Sequence, residues 1–298
     1  MQVGFVGLGR MGAAMVARLR RHKHLVVAYD RNPAAVQTVA RFGARPADSL
    51  GALMGQLRAP RVVWLMVPAG APVGAVLRGL ESHLAPGDIV IDGGNSRYTD
   101  SCERARAFQQ AGVHFLDVGT SGGIRGGERG FCLMVGGDPK AFRRAEPLFR
   151  ALAAKNGYAH VGPSGAGHFV KMVHNGIEYG LLQAYGEGFE LLADSDFKLD
   201  LHQVARLWNR GSVVRSWLLE LAEAALARDR RLGRVRGYVE DSGEGRWTLE
   251  EAVARGVPAP GVALALFARF RSRQKDSFSA KLIAALRREF GGHAVKKR

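Results

Sequence analysis

Lys171, His174, Asn175 and Glu178 follow one another at i, i+3, i+4 and i+7, so a helix would set an ammonium, an imidazole, an amide and a carboxylate on one stripe. Such a set can take protons from a bound polyol and return them. The segment Gly165–Gly180 opens with small residues after Gly162-Pro163-Ser164 and runs without proline to about Ala193, which predicts a helix of several turns. Gly176 and Gly180 fall i, i+4 on another face. Each costs about 1 kcal/mol against alanine inside a helix, which points to a packing or site requirement. A Lys/His/Glu stripe is ordinarily a solvated face. The apolar neighbours Phe169, Val170, Met172, Val173 and Ile177 leave little exposed surface for an ordinary amphipathic helix.

The elements that must position this stripe begin at the N-terminus. Val3–Val6 is a short apolar run, followed at once by Gly7-Leu8-Gly9-Arg10-Met11-Gly12 and then by helix formers. A strand, a G-x-G-x-x-G turn and a helix make a dinucleotide-binding unit, in which the glycines allow the tight turn, the approach of the pyrophosphate and helix–strand packing. Glycines gather in turns anyway, so the context matters. The second apolar run, Leu25–Tyr29, ends in Asp30, where a carboxylate can accept hydrogen bonds from the adenosine ribose. Arg31 follows it and could partly soften the repulsion that Asp30 would exert on a 2′-phosphate, which leaves room for dual cofactor use.

Further strand-like runs at 61–68, 88–92 and 113–118 alternate with helical patterns, which predicts a mostly parallel, doubly wound α/β sheet of Rossmann type. Their carboxyl ends are polar or glycine-rich: Val67-Pro68-Ala69-Gly70, Asp92-Gly-Gly-Asn95-Ser96 and Gly119-Thr-Ser121-Gly122-Gly123. One such loop is turn chemistry. Three on the side of the glycine turn read as walls of one site. A strand over 130–137, a helix over 140–155 and a strand over 158–161 close a first domain, 1–163. The remainder, 164–298, reads as all-α, with helices over 200–210, 213–228, 248–254, 258–273 and 279–290.

Composition limits the class. The chain has 298 residues, 23% of them charged, and no apolar run of transmembrane length. Its N-terminus reads as a strand, with no basic stretch of the kind that opens a signal peptide, and Cys102 and Cys132 form no metal or redox motif. A reduced, cytoplasmic protein without a metal or membrane partner is expected. The net charge of +16 is scattered through helices without the aromatic interleaving of a nucleic-acid motif, and an anionic substrate accounts for it as well.

With these residues in view, the chain resembles the decarboxylating 6-phosphogluconate dehydrogenases in their short bacterial, NAD-preferring form. The resemblance covers nearly the whole chain. It rests on Gly7–Gly12, Asp92–Ser96, Ser121–Gly123, Lys171–Tyr179, Phe267-Ala-Arg269 and Phe290-Gly-Gly-His293. It implies NAD as cofactor, with NADP weaker, at Gly7, Leu8, Gly9, Arg10, Met11, Gly12, Asp30, Arg31, Val67, Pro68, Ala69 and Asn95. It also implies a sugar-acid phosphate held by Asn95, Ser121, Gly122, Gly123, His174 and Asn175. Lys171 would be the base and Glu178 the acid. Tyr179, Arg269, Arg287 and His293 match the positions that grip the phosphate, the last two from a neighbouring subunit of a homodimer or homotetramer. The chain departs from the long enzymes at Ser242, where they carry lysine, and in a much shorter C-terminal domain.

The chemistry fits these residues. Oxidising a secondary alcohol requires its proton to leave, and a lysine with a depressed pKa can take it. The resulting β-keto acid decarboxylates once its carbonyl is polarised, and the enediol must then be protonated on carbon. The competing reading is a β-hydroxyacid dehydrogenase of the 3-hydroxyisobutyrate type, which shares the N-terminal fingerprint and the helix lysine. That family lacks the equivalents of His174, Glu178, Tyr179 and Arg269. A non-catalytic NAD-binding sensor would be expected to lose Lys171 or Glu178, and neither is lost.

Overall fold

The computed structural model describes residues 1–296. The chain forms two compact units, Met1–His174 and Asn175–Arg298. The first contains β1 (Gln2–Val6), α1 (Arg10–Arg21), β2 (Leu25–Tyr29), α2 (Pro33–Ala40), β3 (Arg45–Pro46), α3 (Leu50–Gly55), β4 (Val62–Leu65) and α4 (Ala71–Glu81). It continues with β5 (Ile89–Asp92), α5 (Tyr98–Gln110), β6 (His114–Ser121), α6 (Gly126–Arg129), β7 (Phe131–Gly137), α7 (Pro139–Leu152) and β8 (Ala153–Gly162).

These strands form one sheet in the order β3-β2-β1-β4-β5-β6-β7-β8. Every pairing is parallel except β6 with β7. Both faces are covered, so β4 and β5 are buried at every position rather than at alternate ones. Val3, Phe5, Trp64, Ile89 and Ile91 face a core shared with α1 and α7. Their neighbours Val6, Val63, Leu65 and Val90 face a second core with α3 and α4. Trp64 is fully buried, stacked parallel on Phe5 and edge-on to Phe149.

The strand order turns back between β1 and β4, where open sheets of this kind bind ligands beyond their carboxyl ends. The loops after β1, β4, β5 and β6 all leave that edge, because these strands run parallel.

A long helix, α8 (Ala166–Asp194), follows β8. Its start is fixed by Asp117, a fully buried residue of β6. The Asp117 carboxylate accepts the Gly165 N–H at 2.7 Å on Oδ1 and the His168 N–H at 2.9 Å on Oδ2. It thereby satisfies donors that a helix start leaves unpaired and places a negative charge at the positive end of the helix dipole. The helix can approach because a Cβ on Gly167 would lie 2.3 Å from the Asp117 carbonyl oxygen and 2.4 Å from that of Met134. The first two turns of α8 therefore belong to the first compact unit. Its limit at His174 lies later than the 163/164 division read from sequence.

The second unit contains the rest of α8, then α9 (Leu201–Trp208), α10 (Trp217–Arg228), α11 (Glu244–Ala254), α12 (Pro260–Ser272) and α13 (Phe278–Gly291). Ala205, Leu219 and Leu226 pack with Tyr185 and Phe189 in one small core, and Tyr179, Ala265 and Leu266 with Phe270 in another.

Several bounds differ from the sequence reading. β8 begins at Ala153, where the sequence suggested the helix continued to Lys155. β3 has only two residues, one of them proline, and gave no pattern. α10 starts at Trp217 rather than Val213, because the Ser216 side chain caps it by accepting the Leu219 N–H.

Removing Asp117 leaves two buried N–H groups without their acceptor. Hydrogen bonds to charged groups are worth about 1.5–3 kcal/mol each, so Asp117→Ala should lower unfolding free energy by about 3 kcal/mol in a denaturant titration. Unchanged stability would show that α8 is not anchored this way.

Candidate active site

The glycine turn between β1 and α1 has three distinct environments. Gly7 sits at φ +95°, and a Cβ there would meet the Met66 carbonyl oxygen at 2.4 Å. A Cβ on Gly12 would lie 2.1 Å from the Gly7 carbonyl oxygen. One on Gly9 would meet nothing within 4 Å. The first and third glycines are therefore demanded by packing, while the second borders open space at the start of α1, where no side chain caps the helix. That space beside uncapped N–H groups suits a pyrophosphate.

Asp30 ends β2 in an ordered position. Its Oδ2 accepts the Leu8 N–H at 2.6 Å and its Oδ1 the Asn32 N–H at 2.8 Å. The carboxylate is thus tied to the glycine turn itself. Arg10 and Arg31 are exposed beside these residues, and Val67 and Ala69 are half-buried after β4.

The loop after β5 is organised by Asp92, which is fully buried. It accepts the Ser96 hydroxyl at 2.7 Å, the Gly94 N–H at 3.2 Å and an Arg104 N–H at 3.3 Å. Asp92 and Ser96 are structural in this loop, and Asn95 is the exposed side chain they present. After β6, the Ser121 hydroxyl lies 3.4 Å from Nε2 of His174 on α8. Gly122 and Gly123 follow at positive φ of +121° and +53°.

Lys171 is 6% exposed. It sits directly over Gly119 of β6, where a Cβ would come within 2.4 Å of the Lys171 Cβ. The place of this lysine is therefore set by a helix lying on bare backbone. Lys171, His174, Asn175 and Glu178 all lie on α8, at the spacing that stacks them on one helix face.

In the second unit, Tyr179 is 5% exposed, and the Arg269 guanidinium lies 3.6 Å above its ring. The Tyr179 hydroxyl accepts the Ser242 N–H at 3.2 Å. Arg269 donates to the Glu240 carbonyl at 2.8 Å. Between those two backbone groups is Asp241, paired with Arg246 at 2.7 and 3.0 Å and with Arg273 at 3.0 Å. These hydrogen bonds, Arg246 first, hold the Asp241 carboxyl below the usual carboxylate range. Since the folded value is below the unfolded one, this stabilisation is complete above the ordinary value of 3.8 and is lost as pH falls through the folded value.

The sequence marks 239–248 as a polar, glycine-rich loop containing Ser242 but gives no role to Asp241, Arg246 or Arg273. The available signal was Gly243-x-Gly245: a Cβ on Gly245 would meet the Tyr179 ring at 2.4 Å. Gly176 is explained similarly, because Thr248 of α11 packs at 2.6 Å from where its Cβ would be. Arg287 lies on α13 and His293 just beyond it, both exposed, with the His293 ring edge-on to Phe290. Among the described residues, no group of three His, Cys, Asp or Glu side chains could hold a metal, and no helix is long and apolar enough to cross a membrane.

A glycine turn at the switch point of such a sheet, with a buried lysine over the end of β6, defines a dinucleotide-dependent dehydrogenase. Comparison with known proteins narrows this. Residues 2–162 match the NAD binding domain of 6-phosphogluconate dehydrogenase, and residues 167–297 match the C-terminal domain of the same enzyme. An NAD(+)-dependent, decarboxylating 6-phosphogluconate dehydrogenase of Haloferax volcanii is 49% identical over 100% of this chain and 99% of its own length. The solved 6-phosphogluconate dehydrogenase of Plasmodium falciparum superposes with a TM-score of 0.85 at 28% identity, covering 100% of this chain and 66% of that one. A 3-hydroxyisobutyrate dehydrogenase of Mycobacterium tuberculosis is similar in fold, with a TM-score of 0.74 at 24% identity over 96% of this chain and 99% of its own. The chain belongs to the 6-phosphogluconate dehydrogenase family.

The Gly119 contact yields a direct test. Gly119→Ala adds a methyl group where the Lys171 stem lies, and a displacement of about 1 Å can cost on the order of 100-fold in rate. The variant should keep its fold by circular dichroism and lose kcat by about that factor. Near-normal kcat would mean that the lysine's seat is not set by this contact.

Proposed function

We propose that this chain oxidises and decarboxylates 6-phospho-D-gluconate to ribulose 5-phosphate and carbon dioxide, with reduction of NAD. The observation that carries this reading is that one helix, α8, bears Lys171, His174 and Glu178 and then Tyr179, stacked against Arg269. A short hydroxyacid has no phosphate to use that last pair. The C-terminal family match supports the same choice over the 3-hydroxyisobutyrate alternative.

The glycine turn and Asp30 would hold a dinucleotide, which would supply the hydride acceptor for the alcohol carbon. Lys171 takes the proton of the same alcohol. Once protonated, it polarises the new carbonyl while carbon dioxide leaves. Glu178 then protonates the enediol on carbon. Asn95, Ser121, Gly122, Gly123, His174 and Asn175 hold hydroxyl and carboxylate oxygens, and Tyr179 and Arg269 hold the phosphate. General acid–base roles are worth about 10²–10⁴-fold. Lys171→Met should accordingly abolish both NADH and carbon dioxide formation from 6-phosphogluconate, whereas Glu178→Gln should slow the last protonation and leave NAD binding intact. Retention of more than about a tenth of the rate by Lys171→Met would reassign the base.

Asp30, fixed on the glycine turn by Leu8, suits free ribose hydroxyls and repels a 2′-phosphate. NAD should show the higher kcat/KM, and Asp30→Ala should narrow its lead over NADP. A wild-type preference for NADP would contradict this assignment. Two free cysteines, Cys102 and Cys132, fit a cytoplasmic enzyme.

The chain further reads as a homodimer or homotetramer. α13 buries none of its residues, and Leu282, Ile283, Leu286 and Phe290 are 49%, 56%, 52% and 77% exposed. A second copy covering this face would bring Arg287 and His293 to a neighbour's phosphate. Mixing inactive Lys171→Met with inactive Arg287→Ala should then restore activity after subunit exchange. Exchange without rescue, or a fully active monomer, would remove the shared site.

A further inference from the structure

We propose that Asp241 is a positioning residue that sets the phosphate end of the site through the two backbone groups on either side of it. The proposal rests on the phosphate role assigned above to Tyr179 and Arg269. It concerns how those two side chains are held.

The observation is a sequence of three adjacent residues with three different jobs. The Glu240 carbonyl accepts from Arg269 at 2.8 Å, and the Ser242 N–H donates to the Tyr179 hydroxyl at 3.2 Å. The Asp241 side chain, 4% exposed, pairs with two arginines, Arg246 on the first turn of α11 and Arg273 at the end of α12. Both guanidinium groups also lie over the Phe270 ring, at 4.4 and 5.2 Å. A loop residue anchored at two points on two helices cannot rotate about its own backbone. The peptide groups before and after it are fixed with it.

Each fixed group has a consequence for anion binding. A tyrosine oxygen that accepts from a backbone N–H keeps its own proton to donate, which is what a phosphate oxygen needs. An arginine held by one N–H and seated over a ring is restrained, so its remaining donors meet an anion with less freedom left to lose. The contact at Ser242 is made by its backbone N–H and so does not depend on the side chain there. Arg246 and Arg273 are occupied by Asp241, and their place is structural although their charge would suggest a phosphate ligand.

Asp241→Asn keeps the size of the side chain and removes the charge that holds both arginines. It should raise KM for 6-phosphogluconate about tenfold while kcat and KM for NAD stay within about twofold, the pattern of lost uniform binding. Tyr179→Phe should raise the same KM, and the double variant should fall well short of the product of the two effects, because both act on one contact. A merely structural role would instead lower kcat and thermal stability together, with both KM values unmoved or moved alike. That outcome, or full additivity, would overturn the proposal. If Asp241→Asn fails to fold, Arg273→Gln removes one anchor only and should give the same pattern at about threefold; an unchanged KM there would also overturn it. Calorimetric binding of inorganic phosphate separates this inference from the functional reading. Wild-type enzyme without turnover of 6-phosphogluconate would sink the function, whereas phosphate affinity about tenfold weaker in Asp241→Asn would still support the positioning role. Equal phosphate affinity in the two proteins would defeat it.

Discussion

The structure depends on one close approach, that of the start of α8 to the backbone of β6 and β7. Asp117 supplies the attraction, as a buried carboxylate bonded to two N–H groups of the helix start. Glycine supplies the room. Gly119, Gly136 and Gly167 each border a neighbouring atom closer than a Cβ could tolerate. A buried charge without such partners would be strongly unfavourable, so the same residue that draws the helix down also requires it to stay. The root of the Lys171 side chain takes its position from this contact.

A similar division of labour recurs elsewhere. Asp92 shapes the loop that offers Asn95, Asp30 ties the end of β2 to the glycine turn, and Asp241 joins two arginines between the backbone groups that bond Tyr179 and Arg269. In each case, Asp117 included, an acidic residue bonded to backbone or arginine fixes a segment, and except at Asp30 a different residue faces the open side. Of the four, only Asp30 lies among the residues assigned to a ligand. The rest act one step removed, holding the geometry that preorganised binding requires.

What could be read from the sequence follows from how local each signal is. The glycine turn, Asp30 and the α8 stripe are encoded within a few residues, by spacing and by residue type, and their elements were legible. β3 was not, because two residues that include a proline carry no period. The start of β8 was obscured by Ala153 and Ala154, good helix formers that continue the pattern of α7. The first turn of α11 was hidden inside a glycine-rich stretch that resembles an ordinary loop. The Asp241 network is the clearest case of what spacing cannot reveal: its partner Arg273 lies 32 residues away in the chain, and nothing in either neighbourhood announces the other.

The strand order has a consequence for how the chain reaches this state. From β4 to β8 each strand lies beside the one made just before it, so that portion can zip up in the order of synthesis. The exception is the pairing of β1 with β4, which must wait for two strands and three helices to emerge. Until then β1 presents an unsatisfied edge, and closing that gap carries the largest loop-entropy cost among the sheet's pairings. The crevice above β1 and β4 is also where the glycine turn faces. The nucleotide crevice thus lies at the joint of the sheet that spans the longest intervening chain, and the chain has no place for its cofactor until that joint is made.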